Sequence, residues 1–264
     1  MRVHFCIPNS QIMSNTEASS PSPFDGNMFL YDEPVLLNKE EHGKLGLSPS
    51  ANPYEFAKDI KGVPIVASEI QSAQKHYPVV FSDFENPVLV AIVGITEEAN
   101  LFVDDTGNWD RSAYVPSYLR CHPFAFARRS EDEYAVVIDR SSQLITESPE
   151  IPFFDDDKLS KRVQERVDFC AQYNEERRRT QELCNRVKEL GLLNGQRVAQ
   201  TMPDGEEVKV ADYVSIDARK LTDLDKDAVH ELHKDGSLSA IFAQMFSLEN
   251  WNRLMVRRAT RLGV

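Results

Sequence analysis

The chain has 264 residues and a formal net charge of -12, with 41% hydrophobic residues and 14 Pro against 11 Gly. That length can bury a sizeable core, and the composition is that of a globular protein rather than a disordered one. The acidic balance argues against a nucleic-acid binder, because phosphate binding relies on clustered Lys and Arg. No run of about 18 apolar residues is present to cross a bilayer as a helix.

Residues 1–27 contain "SNTEASSPSP" and read as a disordered N-terminal segment. "MSNTEASS", from Met13, reads like a natural start, with Met1 the alternative. The first residues carry one early Arg and no continuous apolar stretch, which makes a poor secretory signal. The default compartment is then the cytoplasm, with surface association reached only by an export route that reads no N-terminal signal.

Order is expected from Met28. Leu30, Val35, Leu36 and Leu37, broken by Pro34, suggest a strand with its turn, and "EHGKLGL" an exit loop. His42 in that loop, beside glutamates, reads as solvated rather than as a ligand. "VASEIQSAQKHYP" predicts a helix with Ser68 as N-cap and Pro78 as its stop. Strands follow at "YPVVF", "PVLVAIVGI" and "NLFVD", with Pro78 and Pro87 at strand starts, where a missing N–H is tolerated. "DDTGNW" turns into Trp109. Pro116 suits the first position of a short helix, "PSYLRC", that stops at Pro123. "FAFA" and "EYAVVID" then form a hairpin across "RRSEDE".

After "SPEIPFFDDD" the period changes. Leu159, Val163, Val167, Cys170, Tyr173, Leu183, Cys184, Val187 and Leu190 recur at helical spacing. Asp155 to Asp157 favour the helix N-terminus, and Gly191 supplies a stop. The polar stretch "NEERRRTQ" marks either an exposed middle or a break into two helices, and its arginine run reads as a solvated face. "VAQTMPDGEEVKV" predicts a hairpin turning at "PDG", and "DLDKDAVHELHKDG" a helix ending at Gly236. The final segment reads as one or two amphipathic helices, with Ile241, Met245, Leu248, Trp251 and Leu254 on one face. The fold class is therefore α+β: a mostly antiparallel, β-rich part over 28–150 packed with a helical part over 151–264 that carries one hairpin, all in a single domain.

The four cysteines show no CxxC and no metal-like spacing. A continuous helix would hold Cys170 and Cys184 roughly 21 Å apart, beyond disulfide reach, so reduced and half-buried thiols are expected. The common phosphate-loop, dinucleotide, zinc-protease and serine-hydrolase motifs are absent. Two weaker constellations remain. His230 and His233 share a helical face and could hold a divalent metal if Asp225, Asp227 or Asp235 joined them, although HxxH is common by chance. Asp104, Asp105, Trp109, Tyr114, Tyr118, Arg120 and His122 could line one pocket for acid–base work or polar-ligand binding. The alternative makes the aromatics core anchors and pairs Arg120 with an aspartate.

The ordered blocks "LLNKEEHGKLGL", "NLFVDDTGNW", "YVPSYLRCHPFAF", "MPDGEEVKV" and "SLSAIFAQMFSLENWNRL" resemble the bacterial SapC-like family from about Met28 to Leu254. The pattern LFVD-x-x-G-x-W followed by YVP-x-Y-x-R is the most specific part. "RCHPF" departs from it, since a second basic residue and a tyrosine are expected before the proline, which weakens any role for Cys121 or His122. The resemblance implies an association with bacterial surface layers and supplies no catalytic residues and no cofactor. It does not point to the membrane permease that shares the name. It also implies neighbours among outer-membrane receptors and halogenase-like proteins. Two functions follow as expectations: an accessory or binding protein of the cell surface or of nutrient uptake, or an enzyme modifying or hydrolysing a peptide or small polar substrate, with metal assistance as one form.

Overall fold

The computed structural model describes residues 28–95, 100–128, 134–201 and 207–263. The N-terminal segment, the tip of the "RRSEDE" turn and the "PDG" turn lie outside the described residues.

A five-stranded antiparallel sheet organises the first core. Its strands are β3 (Gly62–Pro64), β4 (Val79–Phe81), β5 (Leu89–Ile92), β12 (Leu193–Thr201) and β13 (Glu207–Ile216), in the order β12-β13-β4-β5-β3. β4 and β5 are buried at every position. Their runs of Val, Leu, Ile and Phe are therefore continuous rather than alternating, as strands covered on both faces require. The β12–β13 hairpin joins this sheet through Val214 opposite Phe81, so the C-terminal part completes a sheet begun by the N-terminal part.

Two three-stranded sheets lie beside it. One is β1 (Pro34–Leu36), β7 (Tyr134–Asp139) and β6 (Phe124–Arg128). The other is β8 (Ile145–Thr146), β2 (Gly46–Leu47) and β9 (Ile151–Pro152). A second apolar cluster, with Phe124, Ile138 and Phe153 at its centre, fills the space among them. The long helix α4 (Lys161–Glu189) is continuous and serves both cores. Val163, Val167 and Cys170 enter the second cluster, while Leu183, Cys184 and Val187 enter the first. Its polar middle is an exposed face on which Arg178 and Arg179 pair with Glu175, Glu176 and Glu182. Such pairs stabilise a helix by a few tenths of a kcal/mol each, roughly.

Four helices follow the hairpin: α5 (Ala218–Thr222), α6 (Lys226–Lys234), α7 (Ser237–Ser247) and α8 (Asn250–Leu262). α7 packs on β4 and β13. Its polar residues fix the contact: Gln244 Nε2 donates to the Val79 carbonyl at 2.8 Å, and Ser247 Oγ accepts from the Val79 N–H at 2.9 Å. Ile241, Trp251 and Leu254 are buried as their spacing predicts.

Several expectations are corrected. "NLFVD" is not a ladder strand; only Val103 bridges to Trp109. The Asn100 side chain accepts from the Phe102 N–H at 2.9 Å and donates to the Ala57 carbonyl at 3.0 Å, so a local side chain takes bonds a ladder would have used. Ser68 caps nothing. The turn begins as a 3-10 helix at Ala67–Glu69 and continues as α2 (Ile70–Ala73), with Glu69 Oε1 accepting from the Val66 N–H and Thr180 Oγ1 from the Ala67 N–H. Asp155 to Asp157 do not start α4; they belong to a small hairpin of β10 (Phe154–Asp155) and β11 (Lys158–Leu159), a second hairpin after residue 151. His42 is 4% exposed rather than solvated. It ends a one-turn helix, α1 (Lys39–His42), and its Nδ1 sits against the Asn38 backbone.

Candidate functional site

The "YVPSYLR" segment is a clasp built around a buried acid. Glu69, 6% exposed, accepts from the Val66 N–H at 2.9 Å, the Tyr114 hydroxyl at 2.7 Å and the Ser117 N–H at 2.8 Å. Three donors on one carboxylate offset the cost of taking its charge out of water. Ser117 opens the helix α3 (Ser117–Cys121), and the Tyr118 hydroxyl donates to the Phe29 carbonyl. Burial raises the Tyr114 and Tyr118 hydroxyls above their ordinary range, as expected of tyrosines held as neutral donors. Arg120 pairs with no aspartate among the described residues; its guanidinium lies 4.5 Å from the centroid of the Phe169 ring. Tyr114, Tyr118 and Arg120 thus knit the 67–69 turn, the start of the described chain and α4 together.

Asp104, Asp105 and Trp109 lie elsewhere, on the wall of an open cleft of about 1000 Å³ between the 101–111 segment and α8. The segment is shaped by its own side chains. Asp104 Oδ1 accepts from the Thr106 N–H at 2.8 Å, the Thr106 hydroxyl at 2.6 Å and the Asn108 N–H at 3.0 Å, and Gly107 takes φ +72° to close the turn. Those bonds, that of the Thr106 hydroxyl first, hold the Asp104 carboxyl below its usual range. Across the cleft, Arg253, Arg257 and Arg261 project from α8 at four-residue spacing. Arg257 bonds Asp110 at 2.6 Å and lies over the Phe102 ring at 4.2 Å, while Arg261 bonds the Asn100 and Val103 carbonyls at 2.8 and 3.0 Å. Burial works to raise the Asp110 carboxyl, but the Ser112 hydrogen bonds and Arg257 outweigh it and bring it to about 2. Asp105 is reached by Arg261 at 3.5 Å.

Asp104 and Asp110 are therefore committed, Asp105 is met from full exposure only by Arg261 among the described residues, and two of the cleft's cations are uncommitted. Neither the Lys75 ammonium nor the Arg111 guanidinium has a hydrogen-bond or ion-pair partner among the described residues. Five Lys and Arg side chains line the cleft against three aspartates, an inversion of the chain's overall sign. Burial, then the charge of Lys75, lowers His76 at its edge below the usual imidazole range.

His122 lies in neither place. It is 5% exposed and lines a separate cavity of about 210 Å³. Its Nε2 is 3.2 Å from Asp139 Oδ2, Phe56 stacks on the ring at 3.9 Å, and Nδ1 is buried without a partner. Burial favours the neutral form of Asp139, but hydrogen bonds from His122, from Ser141 and from the Glu33 N–H outweigh it and hold the carboxyl well below the usual range. The seven predicted residues consequently divide among the cleft, the clasp and this cavity instead of lining one pocket.

His230 and His233 are exposed on α6. Asp225 is occupied as the α6 N-cap, and Asp235 lies 3.3 Å from Arg186. No group of three His, Cys, Asp or Glu side chains suited to a metal ion occurs among the described residues. Cys121, Cys170 and Cys184 are buried free thiols; burial pushes Cys184 up to about 12, and the neighbouring Cys170 thiol together with burial raises Cys121 further. Thiols held protonated in this way are poor nucleophiles.

Glu69, Lys75, Arg111 and Asp139 went unflagged in the sequence. The α8 arginines had a legible signal, since positions 253, 257 and 261 share one helical face; the others are single acids or bases in short turns or, for Asp139, at the end of β7, where spacing carries nothing. No helix among the described residues is long and apolar enough to cross a membrane. No curated protein and no solved structure matches the chain. The SapC family model matches residues 37–254, including the clasp, the 101–111 wall and the first part of α8, so the chain belongs to the SapC family.

Proposed function

We propose that this SapC family member is a binding protein, and that its basic cleft receives an acidic segment of a partner protein. The observation that carries this reading is the pair of uncommitted cations, Lys75 and Arg111, in a cleft whose aspartates are already bonded. A general acid or base must be free to exchange a proton with a substrate, whereas Asp104 Oδ1 and both oxygens of Asp110 are held by the turn and by Arg257. A locally positive concavity on an acidic protein focuses potential and draws negative groups selectively. The setting suggested by the resemblance is an accessory role at a bacterial cell surface or in uptake, beside an envelope protein, a receptor or a halogenase-like protein.

The test is fluorescence anisotropy of a labelled polyglutamate peptide titrated with the full chain. Wild-type protein binds it saturably and more weakly as salt rises, since exposed charges are screened within about 8 Å at physiological ionic strength. The double variant Lys75→Glu/Arg111→Glu loses at least about tenfold in affinity, two charge contacts being worth roughly 1.4 kcal/mol or more together. Equal binding by that variant, or no binding by wild type, rejects the reading.

A further inference from the structure

His76 lines the basic cleft beside Lys75, half-buried on the turn that follows α2. That turn is fixed from two sides. The His76 and Tyr77 N–H groups donate to the Ala73 carbonyl at 2.9 and 3.0 Å. From α8, the Asn250 side chain donates to the Gln74 carbonyl at 2.6 Å and to the Tyr77 carbonyl at 3.1 Å, and Arg253 donates to the Lys75 carbonyl at 3.1 Å. The first turn of α8 thus holds the backbone of residues 74–77, and the imidazole is presented to the cleft from a rigid support. The ring lies 5.9 Å from that of Tyr77 and has no hydrogen-bond or ion-pair partner among the described residues.

The charges that face the ring come from three elements. Lys75 belongs to its own turn, Asp110 to the 101–111 wall, and Arg253 and Arg257 to α8. Three of these four are cations, and the one acid, Asp110, is bonded to Arg257 at 2.6 Å. Burial first, then Lys75, favour the neutral ring in the free protein. Of the side-chain types on the cleft, imidazole is the one whose ordinary range lies near neutral pH.

Given that the cleft receives an acidic partner segment, we infer that His76 contacts that segment and that binding is accompanied by uptake of one proton on its ring. Ligand carboxylates neutralise Lys75 and Arg253, two of the cations that disfavour a charged ring, and accept hydrogen bonds from the ring once it is charged. Covering the cleft also deepens burial, which opposes the charge. Asp110 shows which effect wins on this wall: burial works to raise its carboxyl, yet the Ser112 hydrogen bonds and Arg257 bring it to about 2. The sign of the linkage follows. The ring holds its proton more tightly in the complex than in the free protein, so affinity rises as pH falls through the bound ring's range and is level well above it.

The test repeats the polyglutamate titration of the full chain between pH 6 and pH 8, where glutamate side chains stay ionised. Wild-type affinity rises about threefold as pH falls across that range. His76→Asn and His76→Lys both give flat profiles, with His76→Lys, charged throughout, at the tighter level. In parallel, the His76 ring protons, assigned by their loss in His76→Asn, titrate at higher pH with the peptide bound than without it. Binding with no pH dependence, a slope that survives in His76→Asn, or a ring that titrates alike free and bound overturns the role of His76 and leaves the cleft as a peptide site. Absence of binding at every pH overturns the cleft reading itself, and the role of His76 with it.

Discussion

The cleft and the cavity adjoin where the 104–109 turn meets the 51–55 segment, yet they treat unpaired polar groups in opposite ways. Gly107, on the cleft's turn, backs onto Asn52 and Glu55, which line the cavity. In the open cleft, Lys75 and Arg111 stand without partners because water solvates them at little cost. In the cavity the uncommitted group is one nitrogen of a buried histidine, where solvation is withheld. Exposure lets the cleft keep spare charge for a ligand. Burial forces the cavity to satisfy nearly every buried group among the described residues, and His122 Nδ1 stands out against that rule.

The largest expected effect breaks the cavity side. Asp139→Ala leaves His122 Nε2, the Glu33 N–H and Ser141 without their acceptor, and should lower stability by on the order of 3 kcal/mol in denaturant unfolding. A loss below about 1 kcal/mol would mean that the pair is not a structural anchor. Next comes the shared wall. Gly107→Ala must hold φ +72° and place a Cβ 2.5 Å from the Asn52 Cβ, so a loss of about 2 kcal/mol is expected in denaturant unfolding, and an unchanged midpoint would show that the turn relaxes freely.

A smaller effect separates the two by pH. The Asp110 carboxyl, at about 2 in the fold against 3.8 for the unperturbed group, contributes stability that is full above pH 3.8 and is lost as pH falls toward 2. The contribution is on the order of 2 kcal/mol at most. Asp110→Asn should flatten that part of the stability-versus-pH curve, and an unchanged curve would show that the ion pair with Arg257 is not formed. The smallest effect is on the free cations: Lys75→Glu/Arg111→Glu should leave the unfolding midpoint within about 0.5 kcal/mol of wild type. A large loss there would show that those side chains are structural after all.

Periodicity made the architecture legible where burial is periodic. α4 shows its apolar stripe at Val163, Val167, Cys170, Leu183 and Val187, and β4 and β5 show as continuous apolar runs bounded by prolines. It failed where side chains replace backbone pairing. Asn100 diverts "NLFVD" from a ladder, and Glu69 caps a turn that Ser68 was expected to cap. The candidate site was legible only in part for the same reason. Asp104 and Trp109 do line a cleft, but its other wall comes from α8, some 150 residues later in the chain. His122 was flagged as one of a group, whereas its partner Asp139 is supplied by the facing end of β7, a pairing that only the β6–β7 register brings about.

The most direct measurement of the central claim is a nitrogen-15 chemical-shift map of the full chain titrated with polyglutamate. The account predicts saturable shifts of the Lys75 and Arg111 amides and of the Trp109 indole N–H, one of only two tryptophan signals in the chain, with the His122 ring unmoved. Shifts confined to the Arg177–Arg179 face of α4, with the 101–111 wall silent, would contradict it.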